Sequence, residues 1–210
     1  MYIFVNPHAE KQEGLINAAM SVFGRNGYKK ASVADIAEEA GAAKGMINYY
    51  FGSKKNLYLY LVDLSGRYMA EEMEKNFDPN VTDFFDNMKM MTNIKISLIK
   101  SHPAIFAFLT SLYTETDPEI KDEIQELIAK SLTLRERWIL GDKIKSNFKD
   151  DADAKLIDKL LIWAAEGFMS NMRQELNINE IEKFTGDLFA CLDIIKKYFY
   201  KNEEVSQCQN

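Results

Sequence analysis

Catalysis needs a nucleophile or a general base, and something to orient it. The chain of 210 residues offers few of these. Its histidines are His8 and His102, its cysteines Cys191 and Cys208, and no Cys or His falls at metal-ligand spacing from another. No Gly-rich phosphate loop and no Ser/His/Asp or Cys/His arrangement is readable. The expectation is therefore no catalytic site, no metal and no cofactor, with two free thiols in a reducing compartment. Chemistry of another kind is written in Ser32–Lys55, SVADIAEEAGAAKGMINYYFGSKK. Two short apolar-periodic segments flank Glu39-Ala40-Gly41-Ala42. Ala37 and Ala40 are small enough for close helix approach, and Gly41 permits the positive φ of a sharp turn. That is helix-turn-helix geometry, which presents its second helix to a DNA major groove.

Charge agrees with such a role only when it is mapped. The net charge is −6. Residues 1–60 carry seven basic and five acidic groups, net +2, so the other 150 residues carry −8. A mildly basic module sits on an acidic body.

The elements that must position this stretch read as all-α, because the apolar period stays near 3.6 and is nowhere a sustained 2. The first helix is expected over Ala9–Arg25, with Leu15, Ala19, Val22 and Phe23 inward and Gly27 as its left-handed terminus. Ser32, with Asp35 three residues on, caps a second. A third runs over Ala43–Phe51 and ends at Gly52. Ser53 caps a long fourth from Lys54 to Phe77. Further helices are expected near 81–101, 104–114, 118–146, 152–176 and 179–201, about nine in all. Residues 1–53 form the helix-turn-helix domain and 54–210 a helical body. No apolar run exceeds six residues, and no basic flank precedes an apolar stretch at the N-terminus. The expectation is a cytoplasmic protein with no membrane partner.

The register of Lys11–Val62 resembles the N-terminal domain of the TetR/AcrR family of bacterial repressors. The resemblance is carried by Ala18-Ala19, Val22-Phe23, Gly27-Tyr28, Ser32 through Gly41, Lys44-Gly45, Tyr50-Phe51, Ser53-Lys54 and Leu57. It implies a three-helix DNA-binding domain on a C-terminal ligand-binding and dimerising domain, and a palindromic operator held by a homodimer. It also implies DNA contacts by Lys44 and Gly45 at the start of the recognition helix, and by Asn48 and Tyr49 one turn on. Tyr50 resembles the family's phosphate-binding Tyr/His. Lys54, Lys55 and Ser32 lie at helix starts, where amides and a cation suit phosphate. Where the family commonly has Thr, Ser, Thr and Tyr, this chain has Ala31, Ala43, Met46 and Asn48.

The body is rich in Met and aromatic residues, which suit a cavity for a small apolar or amphipathic effector. Met88, Met91, Phe106, Phe108, Tyr113, Trp138 and Trp163 are the expected lining. Glu115, Asp117 and Glu166 are candidate counter-charges to a cationic group. The segments 152–176 and 179–201 are apolar on more than one side, which calls for partners on more than one side. Leu160, Phe168, Leu188, Leu192 and Ile195 are the expected dimer seam, pairing two helices from each subunit. The competing reading is a helical small-molecule binder whose DNA binding is impaired.

Overall fold

The computed structural model describes residues 9–141, 147–171 and 178–201. Among them the chain forms nine helices: α1 (Ala9–Lys30), α2 (Val33–Glu39), α3 (Lys44–Phe51), α4 (Lys54–Asn76), α5 (Phe84–Ser101), α6 (Pro103–Leu112), α7 (Lys121–Ile139), α8 (Ala154–Asn171) and α9 (Ile178–Phe199). The all-α expectation holds.

The boundaries follow from local chemistry. The helical path of α1 breaks at Gly27, whose φ of 69° and ψ of 171° leave the helical region. Asp83 caps α5 by accepting Asp86 N, so the helix starts there and not at residue 81. Pro103 opens α6 at a position where the missing N–H costs nothing. The expected helix over 118–146 is shorter. Asp117 turns the chain instead, its carboxylate accepting Glu119 N at 2.9 Å and its carbonyl accepting Ile120 N and Lys121 N. The helix therefore begins at Lys121, and it ends before Gly141. Residues 142–146 of that expectation lie outside the described residues.

Two apolar cores result. The first joins α1–α4 to α6, to Leu98 of α5 and to Ile120 and Ile124 at the start of α7. Its centre is aromatic, with Phe23 edge-on to Tyr58 at 4.9 Å and Tyr58 against Phe108 at 5.3 Å. It does not stop at residue 53, since Leu57, Tyr58 and Leu61 belong to it. The second gathers Phe84 and Phe85 of α5 with Ile139, Phe148, Ile157, Leu161 and Leu192. Helix α5 runs from one core to the other.

The tightest joint lies between α1 and α6. An added Cβ at Gly24 would stand 2.7 Å from the Ala107 carbonyl carbon, so the two backbones meet where only a hydrogen fits.

Candidate functional site

Helix α2 is fixed from both ends. Ser32 Oγ accepts Asp35 N at 3.1 Å while Ser32 N donates to Asp35 Oδ2 at 3.2 Å, a reciprocal capping box. At its other end Gly41, with φ of 60°, lets Ala42 N reach the Ala37 carbonyl at 2.9 Å. Arg25 of α1 ion-pairs with Glu39 and holds that carboxyl below the ordinary glutamate range. Ile36 and Ala37 are buried, so α2 is a packed support.

Helix α3 is anchored by one face and open on the other. Ile47 and Phe51 are buried in the first core. Lys44, Gly45, Asn48 and Tyr49 are exposed, and their spacing of i, i+1, i+4 and i+5 puts them on one face. Tyr49 is 83% exposed, which is unusual for so large an apolar surface unless something covers it. A Cβ at Gly45 would meet nothing within 4 Å, so nothing inside the protein demands glycine there. Tyr50 is half-buried, packs on the core and meets the Tyr49 ring edge-on at 5.2 Å. The face therefore offers an ammonium, a carboxamide and a phenol at the distance a groove edge would occupy.

Ala43 is the N-cap of α3, with φ −71° and ψ 132° and no side-chain hydrogen bond. That extended backbone is the one from which a hydroxyl would accept an amide of the first turn. Ala43→Ser should stabilise the protein by about 1 kcal/mol, read as a higher urea midpoint at unchanged m. An unchanged midpoint would show that the first-turn amides are already satisfied.

The two lysines at the start of α4 have a different job from the phosphate contact expected of them. Lys54 turns inward. Its ammonium donates to the carbonyls of Tyr28 at 2.9 Å and Ala31 at 3.3 Å, and lies 4.2 Å from the Tyr28 ring centroid. It closes the orphan carbonyls at the end of α1. Lys55 donates to the Glu119 carbonyl at 2.6 Å and to Glu123 Oε1 at 2.8 Å, which raises its pKa and lowers that of Glu123. Ser32 Oγ is engaged as the cap of α2, with its hydroxyl proton left to donate.

Glu115 is not set as a counter-charge either. Its Oε2 accepts Tyr28 N at 2.8 Å and its Oε1 accepts Thr116 N and Asp117 N at 2.9 Å. With Lys55, it pins the α1–α4 module to the loop between α6 and α7. These links join residues far apart in sequence, and no local signal announced them. Glu166 and Trp138 have side chains outside the described set.

The expected effector lining is not gathered in one place. Phe108 is fully buried in the first core, whereas Met88 and Met91 pack on the second. Phe106 is half-buried, and Tyr113 and Trp163 face outward, Trp163 beneath the Lys159 ammonium at 5.0 Å. The expected dimer seam divides as well. Leu192 is fully buried in its own chain, and Leu188 and Ile195 pack against the same core. Leu160 is exposed; the Phe168 side chain is outside the described set. The outward apolar positions are Leu156, Leu160 and Trp163 on α8, and Ile194 and Tyr198 on α9. Each set falls at helical spacing on one face.

Comparison with known proteins follows this geometry. Residues 15–61 match the family described as bacterial regulatory proteins, tetR family. The fatty acid metabolism regulator protein of Bacillus subtilis is 26% identical over 149 residues, 70% of this chain and 75% of that one. The transcriptional repressor AcnR of Corynebacterium glutamicum is 34% identical over 70 residues, 33% of this chain and 37% of that one. The crystal structure of the regulator FadR from Bacillus subtilis in complex with stearoyl-CoA superposes with a TM-score of 0.59 at 19% identity. That match covers 86% of this chain and 97% of FadR, and at such identity the likeness is one of fold.

Proposed function

The chain belongs to the TetR family of bacterial transcriptional regulators, and from that premise we propose that it is a repressor that a small amphipathic effector releases from a palindromic operator. The observation that carries the reading is α3, packed by Ile47 and Phe51 and open along Lys44, Gly45, Asn48 and Tyr49. Lys44 reads a guanine edge or a phosphate, Gly45 lets the backbone close on the duplex, and Tyr49 packs on a thymine methyl or a sugar. Tyr50 and the Ser32 hydroxyl meet the phosphates. The reading of an impaired DNA binder is not favoured, because the α2 support is capped at both ends and α3 is free.

One short helix reads too few bases to specify a site, so the working unit is a homodimer with two recognition helices a helical turn of DNA apart. The outward apolar stripes of α8 and α9 are its proposed seam. Residues 1–53 bind DNA, and 54–210 bind effector and partner. This division is one of labour, since the first core crosses it. A fatty-acyl effector is supported by the relatives whose names refer to fatty acid metabolism and stearoyl-CoA. The 23 residues of α4, about 35 Å long, carry a shift in the body to the DNA end. Effector and operator then oppose each other by a coupling of about 1–3 kcal/mol. No catalytic role is part of the proposal. No described helix is long and apolar enough to cross a membrane, and a partner made of DNA puts the protein in the cytoplasm.

The test is a mobility shift with DNA upstream of the protein's own gene. Lys44→Ala should weaken specific binding by about 1–3 kcal/mol, roughly 10- to 150-fold, and leave binding to unrelated DNA nearly as it was. Wild-type affinity in this variant would mean that α3 is not the reader.

A further inference from the structure

Helix α5 turns one stripe toward the protein interior, and the stripe contains a lysine where an aliphatic residue would pack. Met88, Met91, Lys95 and Leu98 follow at i, i+3, i+7 and i+10. Met88 and Met91 pack on the second core, and Leu98 belongs to the first. Ile94, beside Lys95, is buried yet part of neither. Lys95 therefore stands at the seam where the two cores fail to merge.

The charges that act on it come from two other helices, Arg135 of α7 and Asp158 of α8. Those two are already a pair, with Arg135 Nη1 2.5 Å from Asp158 Oδ2 and both side chains largely buried. The second carboxylate oxygen, Asp158 Oδ1, is buried with no hydrogen-bond partner among the described residues. Lys95 itself has neither a hydrogen bond nor an ion pair there. One carboxylate against two cations leaves the seam one positive charge in excess, which an interior does not tolerate without compensation. Lys95 is open to water by area. Yet the protein around it desolvates the ammonium and lowers its pKa, with Arg135 adding repulsion and Asp158 partly opposing. An ammonium that is wet and yet desolvated lines an internal recess, not the outer surface.

We propose that Lys95 receives the anionic head of an amphipathic effector in the seam between the two cores. The apolar chain of that effector lies along Met88 and Met91, whose flexible thioethers accommodate it. The Arg135–Asp158 pair fixes the wall opposite. The excess charge at the seam reverses the expectation of a cationic effector. A bare hydrocarbon or a primary alcohol of the same length leaves the excess charge unmet. The inference rests on the reading of the body as an effector-binding unit.

The experiment is calorimetric titration of the full-length protein with dodecanoate, dodecan-1-ol and dodecanoyl-CoA, each also tested for release of the upstream DNA. Wild type should bind dodecanoate about 30-fold more tightly than the alcohol, the size of a hydrogen bond to a charged group. Lys95→Met should erase that gap, and Lys95→Arg should keep most of it. Lys95→Gln, uncharged and polar, repeats the test should the methionine variant fold poorly. A carboxylate preference that survives in both Lys95→Met and Lys95→Gln overturns the inference, as does a wild type that binds acid and alcohol alike. So does binding of the CoA thioester alone, indifferent to Lys95, because its anionic groups would then lie outside the seam. Release of DNA in those last cases would leave the ligand-responsive reading standing. If no ligand binds, the inference falls; if upstream DNA is not bound either, the repressor reading falls with it.

Discussion

A protein carrying Leu160→Glu together with Ile194→Glu should sediment as a folded monomer and lose operator affinity by about 100-fold or more, the gap separating specific from non-specific binding. Both side chains are more than half exposed in the single chain, at 55% and 58%. Substituting them disturbs no core contact, and a surface change of this kind shifts stability by about 0.5 kcal/mol or less. In a twofold assembly the same two changes are presented by both partners, so four carboxylates would enter one apolar seam. Each unpaired charge there costs several kcal/mol (~2–7), more than an interface of ordinary size can absorb. The choice of residues matters. Leu192→Glu would also abolish a dimer, but by unfolding the chain, since Leu192 is fully buried beneath the second core. The discriminating readout is therefore mass by sedimentation beside an unchanged melting curve. A double variant that keeps both its dimer mass and its melting curve would move the interface off α8 and α9.

That contrast between Leu192 and Ile194 marks where the sequence was legible. In the first fifty residues each local signal has one meaning. Gly27, Gly41 and Gly52 all adopt positive φ, and each ends a helix where the pattern of apolar residues stops. Ser32 with Asp35, and Ser53, cap the helices that follow them. Such signals act over three or four residues, so the sequence alone resolves them. On α9 the question is different. Residues 192 and 194 are both apolar and about 200° apart around the helix, and nothing in their identity says which one meets the chain's own core. Lys54 fails for a related reason. A lysine opening a helix reads as a phosphate ligand, but its long stem folds back to the carbonyls of Tyr28 and Ala31, 26 and 23 residues away in the chain. Lys95, Arg135 and Asp158 are each unremarkable on a helix of mixed polarity; only the packing of α5, α7 and α8 brings them to one seam.

The joint between α1 and α6 yields the sharpest test of the packing, because one helix offers the same substitution in two settings. Gly14→Ala and Gly24→Ala both replace glycine within α1. At Gly14 an added Cβ meets nothing within 4 Å. The only effect is the better helix propensity of alanine, a gain of up to about 1 kcal/mol. At Gly24 the same methyl would lie 2.7 Å from the Ala107 carbonyl carbon, 2.8 Å from the Ala107 Cβ and 2.9 Å from Phe108 N. Two of those three atoms are backbone and cannot rotate away, so α6 must move as a body. Overpacking of this kind costs about 1–3 kcal/mol, enough to reverse the propensity gain. Gly24→Ala should therefore lower the urea midpoint while Gly14→Ala raises it. The displaced helix carries Phe108, which touches Phe23 and Tyr58, and it leads into the loop where Glu115 holds Tyr28 N. Operator affinity should then fall in Gly24→Ala beyond what partial unfolding explains, because the head has lost its seat on the body. Adding Ala107→Gly removes only one of the three close atoms, so rescue should be partial. Full rescue would show that the side chain alone sets the distance, and an unchanged midpoint in Gly24→Ala would show that α6 yields without cost.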